Sequence, residues 1–278
     1  MPDLSAWLFG ATVLAGLAAV LVIGLAPAWR ARRRRALARQ PFPAAWRPVL
    51  ARWVPQVRRL PVDLQLQLKQ RMQVFIAEKP FIGCNGLVVT DAMRVVVAAQ
   101  ACLLLLKRPQ WHFADLRQVL LYPGAFVVDR TVHGAGGVVH DARQVLQGES
   151  WSQGQVVLSW DDVLAGAADP ADGHNVVVHE FAHQLDQADG QANGAPPLPS
   201  GMDAARWARV LQAEFDALQN ALAAGQPHRL DAYAATNPAE FFAVASEVFF
   251  EQGHQLAAER PALYAELAAF YGVEPTSW

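Results

Sequence analysis

Val176-Val-Val-His179-Glu180-Phe181-Ala182-His183-Gln-Leu-Asp186 is the stretch on which the reading of this chain turns. It has the pattern His-Glu-x-x-His. On an α-helix, residues four apart lie on one face, so His179 and His183 can aim their imidazoles at one point. Two imidazole nitrogens one turn apart clamp a metal, and zinc accepts such donors well. Glu180 stands one step round the helix, beside the metal rather than on it, in the general-base position. The same pattern also arises by chance on the polar face of any amphipathic helix. Here Val177, Val178, Phe181, Ala182 and Leu185 give the helix an apolar side, which places it against a core. Two histidines and a glutamate buried there are costly without a partner. A metal is that partner.

Working outward, the helix is expected over about 174–188, with Gly190 just past its end. Asp186 shares the histidine face and is a candidate to orient a ligand imidazole through its second ring nitrogen. A solvated carboxylate at the helix end is the plainer alternative. Upstream, residues 118–160 carry β-type runs punctuated by Pro123-Gly124, Gly134 to Gly137 and Gly148 to Gly154. They predict a small sheet of mostly antiparallel strands. His133 and His140 fall in or near it and are read as structural. The last run before the helix is Val156, Val157, Leu158, Ser159 and Trp160, preceded by Gln155. At a sheet edge it would hold an extended peptide by backbone pairing, and its residues are the substrate-binding candidates. An ordinary core strand is the equal alternative.

Downstream, residues 191–201 read as a loop, with a lid role or none. Helical spacing returns over 204–224. Asn237 is a good N-cap, Pro238 fits the first helical position, and Glu240 is third. Glu240 then has two readings: a capping carboxylate turned back on the Asn237 amide, or a third metal ligand. Glu247, seven residues on, lies on roughly the same face. One of the two carboxylates is the expected third ligand, and spacing does not choose between them. Helices are also expected over 63–78 and from Thr90-Asp91 to about Leu106, the second apolar nearly all round. The part from about Leu60 is thus α+β, mostly helical with a small mixed or antiparallel sheet. Cys84 and Cys102 match no zinc spacing and are assigned to packing.

The N-terminus has a different character. Residues 4–29 contain no charge and are long enough for a hydrocarbon core, which needs about 20 apolar residues. Arg30, Arg32, Arg33, Arg34, Arg35 and Arg39 follow, and such flanks stay on the cytoplasmic side. The expectation is one transmembrane helix over 4–29 with the rest of the chain in the cytoplasm, at a bacterial inner membrane. A signal peptide carries its positive charge before the apolar run, not after it. An Arg- and Pro-rich linker is expected over 30–59, and the globular domain over 60–278. The net charge of −2 and the pI near 6.4 do not suggest direct nucleic-acid binding.

Several stretches together resemble the Mlc titration factor A family of bacterial zinc peptidases. They are Gly148-Glu-Ser-Trp151, Val156-Val-Leu-Ser-Trp160, the His179 to Asp186 run, Asp231-Ala-Tyr-Ala-Ala-Thr236 and Pro238-Ala-Glu-Phe-Phe-Ala-Val-Ala-Ser-Glu247. The active site is also similar to that of the anthrax lethal factor catalytic domain. The resemblance implies a zincin-like domain of gluzincin type with one Zn2+ per chain. His179, His183 and Glu240 would bind it, Glu180 would be the base and Tyr233 would assist. Glu247 would then be a buried group behind a ligand. It further implies a peptide substrate, aminopeptidase-type activity, and a repressor partner in the control of sugar uptake. The alternative is a regulatory binding protein in which zinc is mainly structural. The N-terminal apolar helix is a departure from the best-known member.

Overall fold

The computed structural model describes residues 4–108, 112–133, 139–146, 148–151 and 154–278, and for 126–151 the backbone alone. The chain divides into two compact units, Met1–Pro41 and Phe42–Trp278. The first holds the helix α1 (Leu4–Ala38), which carries the apolar stretch and continues through Arg30 to Arg35. It is long and apolar enough to cross a membrane.

The second unit begins at Phe42 rather than Leu60, so residues 42–59 are not a linker. Its prolines keep the helix α2 (Trp46–Trp53) short, and a 3-10 turn follows over Pro55–Arg59. Leu50, Val54 and Val57 from this segment are buried in the core. Then come α3 (Val62–Glu78), β1 (Phe81–Gly83) and α4 (Asp91–Leu103). Five strands follow: β2 (Gln118–Tyr122), β3 (Phe126–His133), β4 (Val139–Leu146), β5 (Gly148–Trp151) and β6 (Gln155–Ser159). The chain ends in helices α5 (Trp160–Ala168), α6 (Val176–Asp186), α7 (Ala204–Ala223), α8 (Pro238–Glu251), α9 (Gly253–Glu259) and α10 (Pro261–Tyr271).

The main sheet has the order β1-β2-β6-β5. β1, β2 and β6 are parallel, and only β5 runs antiparallel to its neighbour. This corrects the mostly antiparallel expectation. The cause lies in the connections: α4 separates β1 from β2, and the β3–β4 hairpin separates β2 from β6. Crossovers of that length permit parallel pairing, which a tight turn does not. The glycine and proline signals mark the β3–β4 excursion, a separate two-stranded antiparallel sheet. The side chains of His133 and His140 lie outside the described residues. A second correction concerns Val156 to Trp160. β6 lies inside the sheet between β2 and β5, and Val156, Val157, Leu158 and Ser159 are buried. Trp160 is the first residue of α5, capped by the Ser159 hydroxyl, which accepts from the Asp162 amide. The edge strand beside the histidine-bearing helix is β5.

That helix, α6, packs against α4, α5, α8, β5 and β6. Phe181 anchors it, edge-on to Phe113 and Phe75 at centroid distances of 4.8 and 5.6 Å. Full burial of a phenylalanine stabilises by about 1.5–3 kcal/mol, enough to fix the rotation of a short helix. α8 is held from its other side by Phe242, whose ring meets Trp207 on α7 and Phe270 on α10.

Candidate metal centre

α6 begins at Asn175, whose side-chain oxygen accepts from the Val178 amide and satisfies one of the free N–H groups of the first turn. This start and the Phe181 anchor turn His179 and His183 toward α8. Their rings lie 4.8 Å apart and nearly perpendicular. From α8, Glu240 reaches both: its Oε2 lies 3.0 Å from His179 Nε2 and 3.2 Å from His183 Nε2. The capping role for Glu240 is not the one adopted. Asn237 caps α8 through its side-chain oxygen, which accepts from the Ala239 and Glu240 amides, while the Glu240 carboxylate faces the histidines.

Glu247, two turns further along α8, takes the other side of His179. Its Oε1 lies 2.7 Å from Nδ1, and its Oε2 accepts from the Asn175 amide. An ionised carboxylate only accepts, so in the neutral ring Nδ1 carries the proton and Nε2 turns a lone pair into the site. That lone pair then confronts an oxygen of Glu240. Two imidazole nitrogens and a carboxylate oxygen, all within 4.8 Å of one another, converge on one point with lone pairs. Such a donor set fits a divalent metal that accepts nitrogen and oxygen donors. Burial alone would lower the His179 pKa, yet the bonds to Glu240 and Glu247 raise it well above its ordinary value. Burial would raise Glu240, yet the bonds from His179 and His183 hold it well below the usual carboxylate range.

Glu180 is 4 % exposed, close enough for its charge to act on His179. Tyr233 stands in a short 3-10 turn over Ala232–Ala235, with its ring centroid 6.0 Å from that of His179, and is 46 % exposed. Asp186 Oδ2 accepts from the Gly194 amide at 2.8 Å and ties down the loop after α6, while Asp186 Oδ1 and His183 Nδ1 are both buried without a hydrogen-bond partner. Burial pushes the Asp186 carboxyl up to about 6 against the pull of the Gly194 amide and the charge of His183. The sequence reading passed over Asn175, although an Asn directly before an apolar helical run is a recognisable start signal. It also passed over Gln100, whose Oε1 accepts from Asn175 Nδ2 at 2.7 Å. Nothing local marks a mid-helix Gln as the partner of a residue 75 positions away.

A His-Glu-x-x-His helix packed on a second helix that offers a carboxylate beside the two imidazoles fits a metallopeptidase. Comparison with known proteins places the chain in a family: it belongs to the glucose-regulated metallo-peptidases M90, whose model matches residues 28–272. It is 39% identical over 265 residues to the uncharacterized protein slr2042 of Synechocystis sp., covering 95% of this chain and 96% of that one. It is 33% identical to Mlc titration factor A of Cronobacter sakazakii, over 89% of this chain and 91% of the relative. The Mlc titration factor A of Klebsiella pneumoniae subsp. pneumoniae is 36% identical, over 83% and 86%.

Proposed function

We propose that this protein is a zinc-dependent peptidase of gluzincin type, anchored to the membrane by α1. The observation that carries the reading is the convergence of His179 Nε2, His183 Nε2 and Glu240 Oε2 on one point. These three residues would hold one Zn2+, and Glu247 would keep His179 in the tautomer that binds it. A zinc ion held there supplies Lewis acidity toward the substrate carbonyl and lowers the pKa of water to about 7.

The remaining chemistry belongs to the chain. Glu180 takes a proton from the attacking water as its oxygen bonds to the carbonyl carbon. As the C–N bond breaks, Glu180 passes that proton to the leaving amine. The Tyr233 hydroxyl donates to the carbonyl oxygen as charge builds on it, a contribution of about 3 kcal/mol for a good donor. β5, the last strand in the sheet order, offers its outer edge to an extended peptide, the part that Val156 to Trp160 were expected to play. Aminopeptidase-type cleavage follows from the family resemblance.

The test is Glu180→Gln in the full-length protein. Zinc content is expected to stay at one per chain, while peptide hydrolysis falls by about 10²–10⁴-fold. Wild-type turnover in this variant would remove Glu180 from the mechanism. A second reading has its own support: relatives carry the name Mlc titration factor A. On that reading the protein binds a repressor of sugar uptake, and zinc serves structure. Repressor binding that survives in Glu180→Gln, with no hydrolysis by the wild type, would favour it.

A further inference from the structure

A cleft of about 100 Å3 opens beside the N-terminus of α6, and none of the three metal-ligand candidates lines it. Leu103 and Val178 contribute to its buried apolar lining, and Phe250 and Trp278 stand over them with ring centroids 6.3 Å apart. Glu251 lines this apolar space. Glu251 is held by neutral donors alone, Asn175 Nδ2 at 2.9 Å on one oxygen and the Gly173 amide at 3.1 Å on the other. Burial, together with the acidic neighbours Asp172 and Glu247, pushes its carboxyl up to about 8. Arg59 and His254 stand on the lining as exposed residues, where solvent and salt screen their charge.

A complementary occupant therefore brings hydrogen-bond donors, positive charge and apolar surface. A primary ammonium has three donors and no acceptor, and the faces of Trp and Phe attract cations. We propose that this cleft binds a small primary amine with an apolar body, its ammonium received by Glu251 and its body by Phe250 and Trp278. The proposal does not depend on the peptidase reading. It has a consequence for that site all the same. Asn175 both holds Glu251 and donates its amide to Glu247, which holds His179, so the bound amine lies one short hydrogen-bonded chain from the metal centre.

Isothermal titration of the detergent-solubilised full chain with benzylamine and with benzyl alcohol tests the assignment. The two probes share ring and size and differ in charge. Benzylamine is expected to bind saturably at one per chain, with the alcohol at least about tenfold weaker, since a hydrogen bond to a charged group contributes about 1.5–3 kcal/mol. Glu251→Gln and Trp278→Ala should each weaken benzylamine several-fold, with melting curves confirming that both fold. Trp278→Ala keeps the test decisive if Glu251→Gln does not fold. Equal affinity for the two probes overturns the proposal. So does the absence of saturable binding, or benzylamine binding that both variants leave intact, which would place the amine at the metal centre or elsewhere.

Discussion

His179 uses both ring nitrogens, and this distinguishes the two glutamates of α8. Glu247 meets Nδ1 and also accepts from the Asn175 amide, so its two oxygens are committed to hydrogen bonds. Glu240 meets Nε2 of both histidines with one oxygen, which is the place of a ligand. Glu240→Ala is expected to yield protein largely free of zinc and inactive. Glu247→Ala should retain much of its metal, with affinity lowered by about 10–100-fold, as for loss of a group that orients a ligand. Mass spectrometry of zinc in both purified variants checks this. The reverse result, metal-free Glu247→Ala beside fully loaded Glu240→Ala, would exchange the two roles.

Between elements, the geometry of the site rests on how α6 is joined to α8. The loop after α6 passes Gly190, which adopts φ +97° with open space around it. It then reaches Gly194, at φ +75°, where a Cβ would come within 2.3 Å of the Pro238 carbonyl oxygen. Pro238 opens the helix that carries Glu240, so Gly194 sets the distance between the loop and the third ligand candidate. The Asp186 carboxylate holds Gly194 in place from α6. Gly190→Ala meets only the cost of a left-handed backbone, about 1 kcal/mol. Gly194→Ala adds a backbone clash, and a total loss of about 2–4 kcal/mol is expected. Urea melts of both variants make the comparison, and equal losses would show that this contact does not position α8.

For the whole molecule, the proposed membrane anchor fixes on which side the unit from Phe42 to Trp278 is expected. α1 is long and apolar enough to span, and six arginines follow its apolar part within Arg30 to Arg39. Positive residues stay on the cytoplasmic side, so the unit from Phe42 to Trp278 is expected in the cytoplasm. A pair of reporters fused after Trp278, one active only in the cytoplasm and one only in the periplasm, reads this directly. Signal from the periplasmic reporter alone would reverse the topology.

What the sequence by itself determined is local. The spacing of His179, Glu180 and His183, the cap-and-proline start of α8 at Asn237-Pro238, and the charge step after the apolar helix each depend on neighbours a few residues away. Periodicity and capping chemistry act over that range. The tertiary structure decided what depends on distant partners. Glu240 rather than Glu247 faces both histidines because the packing of Phe181 and Phe242 sets the rotation of α6 and α8. β6 lies inside the sheet, parallel to β2, because the β3–β4 hairpin carries the chain across between the two, and no strand's own residues record which strand will lie beside it. Asp186 holds the loop after α6 because Gly194 folds back onto it. Residues 42–59 join the core because Leu50, Val54 and Val57 find apolar surface there, and a proline-rich composition does not reveal such a surface.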